Sequence, residues 1–439
     1  MTARLRKWLV GLTDTFWVLP ALLVLVGIGL AVGLVAVDRS GLLPAWLIEG
    51  AWVYDGGGTG ARTLLGAVAS STIGVAGTVF SITIAALSLA AGQMGPRLLR
   101  NFTRDRGNQL TLGVFLGTFS YALMVLRSVR TQEEGVFVPH LSLSVGILLA
   151  FVCVATLVYF VGHMASRINV DTVIELVSND VQAAVERLAV AEAGAAPPDD
   201  ALWRDAVPVS DPRRGYLQQL DAKGLADWAA ERRTTVRLLV RPGDYVFPGA
   251  PIAMAWPAVE GLAEAVRDAT ALGPTRGSPL DIEFAVRQLV EVAVRALSPG
   301  INDPHTAISA IDRLGAALCD LAPCHLPSGV ELRDGRAALV VPAVDYDGLA
   351  DAMFHSIRQS AAGIPTVLIR LLEVLTAVRG CEPGAERAWT LRRHADLVLA
   401  DAIRQIANAS DLADVHARHE AFMAAPGPAV TSGEGGRKR

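Results

Sequence analysis

Residues 64–94 read LLGAVASSTIGVAGTVFSITIAALSLAAGQM. From 64 to 91 this is a run of 28 residues without Asp, Glu, Lys or Arg. About 20 apolar residues in a helix cross a bilayer core, so the run reads as a membrane span. Continued to Arg97, the helix is about 50 Å long, against a hydrocarbon core of roughly 30 Å. It must tilt, break or protrude. The break is expected at Gly92-Gln-Met-Gly-Pro96, where glycine is permissive and proline removes a backbone donor.

Small residues recur through this span at Ser70, Gly74, Gly77, Ser81, Ala85, Ser88 and Gly92, in steps of three and four. One helix face is therefore lined with Gly, Ala and Ser, which lets backbones approach closely in lipid. Two readings are open. The face packs against other spans of the same chain, or copies of the helix line a central passage in a homo-oligomer. The hydroxyls of Ser70, Ser71, Thr72, Thr78, Ser81, Thr83 and Ser88 suit a partly wetted face and also suit interhelical hydrogen bonds.

Three further uncharged runs flank this one, at 16–37, 110–126 and 141–161. The run at 110–126, of 17 residues, sits at the lower length limit for a span. The first follows Arg4, Arg6 and Lys7 like a signal peptide. Its apolar stretch exceeds the usual 7–15 residues or so, and no small-x-small cleavage site precedes Asp38, so a retained helix is expected. Residues 1–165 carry 11 Lys+Arg and 7 Asp+Glu, and the remainder 28 and 36. A membrane part is followed by an acidic soluble part.

Composition agrees. Hydrophobic residues make up 52% and charged residues 19%, against about 25% charged in an ordinary soluble domain, and mean hydropathy is +0.39. A purely soluble or disordered chain is excluded. A net charge of −4 argues against a nucleic-acid partner. Four cysteines do not make a disulfide framework.

Orientation follows from basic residues in the short loops. The N-terminus is basic, and Arg97, Arg100, Arg104 and Arg106 follow the second run against Asp105 alone. Both termini are expected in the cytoplasm of a bacterium, the spans in its inner membrane and the lipid bilayer as partner. The four arginines crowd the inner mouth of the second span, as lipid-headgroup anchors or as an anion-favouring ring. The spans hold no Asp, Glu, Lys or Arg, unlike most secondary transporters and pumps. A channel needs none.

The soluble part begins with helical periodicity over 169–193, then Pro197-Pro198. Strands are expected at 215–220 and 235–240, followed by Arg241-Pro-Gly-Asp and Pro248-Gly turns. This resembles half of a barrel-sandwich hybrid, but the stretch has no lysine, so carrier chemistry is not expected. Helices are expected over 259–272, 280–297, 304–321, 348–361, 365–379, 385–408 and 411–424, with one strand at 337–341 and a disordered basic tail over 426–439. The domain reading is 1–165 transmembrane, 166–212 helical extension and linker, 213–258 small β module, and 259–425 helical.

The most specific local motif is Ser298-Pro299-Gly300-Ile301-Asn302-Asp303-Pro304, between two amphipathic helices. Pro299-Gly300 stops the first helix, Asp303 is a good N-cap, and Pro304 suits the first turn of the second. A ligand reading would place Asn302, Asp303 and His305 toward Ca²⁺ or Mg²⁺, with Asp281 or Glu283 near. Cys319 and Cys324-His325 lack zinc-finger spacing, and His416 and His419 share a helix face without a further ligand in view. The chain lacks P-loop, dinucleotide, nucleophile-elbow and metalloprotease motifs. No enzyme, metal or cofactor is expected.

Three segments carry a family resemblance. They are Thr78-Val-Phe-Ser-Ile-Thr83 with Gln93-Met-Gly-Pro-Arg-Leu-Leu-Arg-Asn-Phe102, then Arg104-Asp-Arg-Gly-Asn-Gln109 with Leu112-Gly-Val-Phe-Leu-Gly-Thr-Phe119, and Ala296-Leu-Ser-Pro-Gly-Ile-Asn-Asp-Pro304. Over roughly residues 8–420 the chain resembles a bacterial predicted-membrane-protein family catalogued as a domain of unknown function (DUF2254-like). The resemblance implies the architecture and no activity. The expected fold is a mainly α membrane protein: four transmembrane helices, then a helix-rich α+β cytosolic domain with a small β module. The expected function is a homo-oligomeric pore; the alternative is a membrane-anchored sensor or scaffold without one.

Overall fold

The computed structural model describes residues 16–40, 57–94, 105–130, 137–168, 170–276 and 281–426. Among these, four helices are long and apolar enough to cross a membrane. They are α1 (Val18–Ser40), α2 (Gly58–Met94), α3 (Arg106–Ser128) and α4 (His140–Ile168). Each contains one of the four uncharged runs, apart from Phe16 and Trp17, which precede α1. At 37 residues α2 is about 55 Å long. Gly95 and Pro96, where the break was expected, lie outside the described residues, as does the tail from 427.

The shortest uncharged run becomes the hub. α3 packs against α1, α2 and α4, and is the most buried span. Its approach to α1 is at backbone distance. A Cβ on Gly113 would strike Leu23 and Pro20, one on Gly117 the Leu23 carbonyl, and one on Gly27 the Gly117 carbonyl. Gly113 and Gly117 stand one turn apart, the spacing that lets two helices close up in lipid. Around them Ala31, Leu65, Ala69, Tyr121, Val125 and Leu143 form one core, and Ala76, Val79, Phe115, Cys153 and Phe160 another.

A carboxylate ties each end of this bundle. Asp38, at the end of α1, accepts from the Leu141 and Ser142 backbone N–H (3.1 and 3.0 Å) and from the Ser142 hydroxyl (2.6 Å). It thus caps α4, whose first N–H groups have no partner within their own helix. Asp105 accepts from the Gly107 N–H at the start of α3 (2.9 Å), and its other oxygen lies 2.7 Å from His163 Nε2 on α4.

The chain divides into two compact units at Asn169/Val170. The second opens with α5 (Val170–Leu188). It continues through β1 (Val207–Ser210), β2 (Gly215–Leu220), α6 (Ala222–Glu231), β3 (Thr235–Leu238), β4 (Tyr245–Val246), β5 (Pro251–Trp256), α7 (Leu262–Ala269) and β6 (Thr270–Gly273). Then come α8 (Ile282–Ala296), α9 (Pro304–Leu321), β7 (Val330–Arg333), β8 (Arg336–Val340), α10 (Tyr346–Ser360), α11 (Pro365–Cys381), α12 (Ala385–Gln405) and α13 (Ala409–Ala424).

The strands form a five-stranded sheet, β1-β5-β3-β8-β7, parallel only between β3 and β8, and a three-stranded antiparallel sheet, β4-β2-β6. The β part is therefore not confined to 213–258. It recruits 207–210 and 270–273 on either side, and 330–340 from far along the chain. Two local expectations are corrected. The helix read over 259–272 stops at Ala269, because Thr270 to Gly273 pair with β2. A helix the periodicity did not reveal, α6, starts on Asp221, whose carboxylate accepts from the Gly224 N–H (3.0 Å). Its Leu225, Ala226 and Ala229 join Val236, Leu238, Ile252, Ala253, Val266 and Leu339 in the sheet core.

Helices α5 and α8–α13 pack on one another, with α10 lying along both α8 and α12. Aspartates set the starts of α8, α9 and α10. Asp281 caps α8 (Phe284 N–H, 3.0 Å), and Asp345 caps α10 (Gly348 N–H, 2.7 Å).

Candidate functional site

The small-residue face of α2 comes first, because sequence singled it out. Ser70, Gly74, Gly77, Ser81, Ala85 and Ser88 are all exposed. A Cβ added at Gly74 or Gly77 would meet nothing within 4 Å. The side of α2 that packs inside the unit is a different one: Ala61, Leu65, Ala69, Thr72, Ala76, Val79 and Ala86. The reading in which the stripe packs against other spans of its own chain is thus corrected. The in-chain contact of small residues belongs to Gly27, Gly113 and Gly117. Three hydroxyls on or beside the exposed face bond back to their own helix: Ser71 to Val68 O (3.1 Å), Thr78 to Gly74 O (3.2 Å) and Ser81 to Gly77 O (2.9 Å). Elsewhere in the unit bulky residues are exposed, such as Leu22, Leu25 and Val26 on α1 and Leu148, Phe151 and Val158 on α4, but so are Gly29 and Gly33 on α1 and Gly162 on α4. Gly92 lies in the last turns of α2, beyond the described side chains. Of the inner-mouth arginines, Arg97, Arg100 and Arg104 lie outside the described residues, and Arg106 is exposed at the start of α3.

The Ser298 to Pro304 motif is the turn between α8 and α9. The Ser298 carbonyl accepts from the Ile301 and Asn302 N–H groups (3.1 and 2.9 Å), and the Asp303 N–H reaches back to Ala296 O (2.8 Å). Asn302 takes the left-handed conformation (φ 50°) that asparagine tolerates better than most residues. The Asp303 carboxylate accepts from the His305 and Thr306 N–H (3.1 and 3.2 Å) and from the Thr306 hydroxyl (2.7 Å). Those bonds, the Thr306 hydroxyl foremost, hold it below the usual carboxylate range. Asp281 and Glu283 are engaged elsewhere. Arg276 binds Asp281 (2.8 Å), while Arg241 and Arg287 bind Glu283 (2.5 and 3.2 Å). Asp303 therefore acts as a helix cap, and these acids neutralise arginines.

The constellation most like a ligand site was not singled out from sequence. It lies between α10 and α12. Asp351 and His355, one turn apart on α10, meet His394 on α12, with one ligand atom from each lying within 4.8 Å of the others. His394 Nε2 is 3.1 Å from Asp351 Oδ1, and His355 Nδ1 is 3.4 Å from the same oxygen. The His394 side chain is 1% exposed, while His355 and Asp351 are about a third exposed (32% and 33%). Despite the short Nε2 to Oδ1 distance, the alignment is poor, and neither His394 ring nitrogen makes a hydrogen bond. Burial first, and then the Arg393 cation, pull its pKa down to about 4, so the imidazole is neutral at pH 7. Arg393 bridges Asp347 (2.8 Å) and Asp351 (2.6 Å), Thr390 donates to Asp347 (2.9 Å), and Phe354 sets its edge against the His394 ring. Two signals in the sequence mark the site: the four-residue step from Asp351 to His355, and a histidine at the apolar phase of α12 beside Leu391, Ala395 and Val398.

The other histidines and cysteines have simpler roles. His419 Nε2 lies 2.8 Å from Asp396, and the His325 backbone pairs with Val190. Burial, with Cys381 beside it, pushes the Cys319 thiol up to about 12, which leaves it un-ionised.

Four helices of membrane-crossing length, followed by a helix-rich unit with two small sheets, define a multi-pass membrane protein. The chain belongs to the family described as "Predicted membrane protein (DUF2254)", which matches residues 13–377. It is similar to an uncharacterized protein of Mycobacterium tuberculosis, with 33% identity over 422 residues, covering 92% of this chain and 79% of the relative. An uncharacterized protein of Mycobacterium bovis matches to the same extent. No solved structure matches the chain significantly.

Proposed function

We propose that the protein is a homo-oligomeric pore of the bacterial inner membrane, assembled through the small-residue face of α2, with both termini cytoplasmic. One observation carries this reading. Ser70, Gly74, Gly77, Ser81, Ala85 and Ser88 lie exposed as one continuous series along α2, a longer small-residue face than the exposed Gly29 and Gly33 of α1. Lipid-facing surface gains nothing from small residues, whereas helix interfaces in lipid are enriched in them. A second copy is the natural occupant of the face, since closed symmetric assemblies reuse one surface on every subunit. The hydroxyls along the face would line the axis, and a ring formed by Arg97, Arg100, Arg104 and Arg106 would sit at its inner mouth. No catalytic step is proposed.

Fixed positive charge concentrates anions near it, most strongly at low salt where screening is long-ranged. Full-length protein in planar bilayers should therefore conduct with reversal potentials that favour anions. Neutralising Arg97 and Arg100 should move them toward no selectivity. Conduction that prefers cations would leave the arginines as headgroup anchors. A well-folded oligomer that stays silent under voltage and tension would defeat the pore and leave a membrane-anchored scaffold.

A further inference from the structure

We propose that Asp351, His355 and His394 form a binding site for a divalent transition-metal ion of the zinc type, held between α10 and α12. Ligand atoms about 2.0–2.2 Å from a common ion lie roughly 3–3.5 Å apart. The three side chains already bring theirs within 4.8 Å of one another, so small rotamer changes close the site. Two imidazoles and a carboxylate are a mixed nitrogen and oxygen set, suited to zinc-like ions, whereas Ca²⁺ and Mg²⁺ take oxygen ligands. Three protein ligands leave an open position for water or a small anion.

A second observation points the same way. His394 is 1% exposed, yet neither ring nitrogen has a hydrogen-bond partner. Buried polar atoms are nearly always satisfied, and one that is not calls for an explanation. A metal would satisfy one nitrogen of an imidazole that burial keeps neutral, which is the ligating form. Arg393 is the group that opposes a cation here. It is offset by Asp347 and Asp351 together, leaving the pocket net negative. Its bond to Asp351 also orients that carboxylate, as outer hydrogen bonds do around bound metals. Thr390 and Arg393 hold Asp347 in turn. The ion would join two helices distant in sequence, and binding of this kind is folding energy for the elements it ties. The proposal does not depend on the pore.

The test uses full-length protein in detergent, stripped with a chelator and titrated with Co²⁺ alone. One equivalent should bind, with the visible absorption of a low-coordinate nitrogen- and oxygen-ligated ion, and Zn²⁺ should displace it. His355→Ala and Asp351→Asn lie at the half-exposed edge. Each should weaken Co²⁺ binding by more than about a hundredfold, beyond the roughly 10–100-fold that loss of an outer partner costs. Zn²⁺ should raise the unfolding temperature of the parent protein and not of these variants. The double variant His416→Ala, His419→Ala should bind as the parent does. The proposal is overturned if the parent gives no band, if the band survives in His355→Ala, or if the double variant abolishes it.

Discussion

At the residue scale, single carboxylates decide how several helices of the second unit begin and how several of its arginines are held. Asp303 satisfies two N–H groups that α9 cannot satisfy itself. Asp303→Ala should therefore cost about 0.5–2 kcal/mol of stability, the usual loss for an N-cap. Urea unfolding should show the same loss with and without Ca²⁺ or Mg²⁺. A loss confined to the ion-containing sample would restore the ligand reading of this turn. Glu283 is buried, and burial alone would raise its carboxyl. Arg241, Arg287 and Arg276 overcome that and hold it below the ordinary range. With the folded pKa depressed, its stabilisation is fully present above the unfolded value of about 4.3 and is lost as pH falls through the folded one. Glu283→Gln leaves Arg241, Arg276 and Arg287 facing one another. It should destabilise the unit by about 1.5–3 kcal/mol at pH 7, and the gap to the parent should narrow in acid. A gap that stays constant from neutral pH to pH 3 or so would show that the carboxylate charge does not matter.

Two classes of glycine separate at the element scale. Gly27, Gly113 and Gly117 allow α1 and α3 to touch backbones, and any side chain there meets main-chain atoms or Leu23. Gly74 and Gly77 face outward, where an added Cβ meets nothing in its own chain within 4 Å. Gly117→Leu should therefore cost more than the 1–3 kcal/mol or so typical of overpacking, and the protein should be lost in expression. Gly74→Leu and Gly77→Leu should yield folded protein that native mass measurement finds dispersed into smaller species. Unchanged oligomers in both outward variants would remove the α2 face from the assembly. Spacing alone cannot separate the two classes. Gly113-Val-Phe-Leu-Gly117 and the α2 series both place small residues on one helix face, and which face meets a neighbour depends on how the helices are rotated in the bundle.

Over the whole molecule, the prediction concerns orientation. Positive charge concentrates at the N-terminus and between the second and third spans, and an even number of spans returns the chain to its starting side. A reporter fused after Ala193 should read cytoplasmic, and one within the 40–62 loop periplasmic. The reverse pair of results would refute the argument from loop Arg and Lys. Asp38 and Asp105 tie opposite ends of the bundle, so this experiment also assigns each tie to a side of the membrane.

Four uncharged runs of 17–28 residues were enough to specify the membrane class and the number of candidate spans, because a bilayer core penalises charge whatever the fold. The α8–α9 turn was legible for a similar reason: Pro-Gly and Asp-Pro act within a few residues of themselves. Pairing between distant segments was not. β8 sits beside β3 although about a hundred residues separate them (Thr235 donates to Ala337 O), and short strands carry no mark of their partner. The α3 hub, the outward turn of the α2 stripe and the meeting of Asp351 and His355 with His394 are likewise products of packing. Each depends on which faces two helices turn toward one another, and that is settled by side-chain fit across the whole unit.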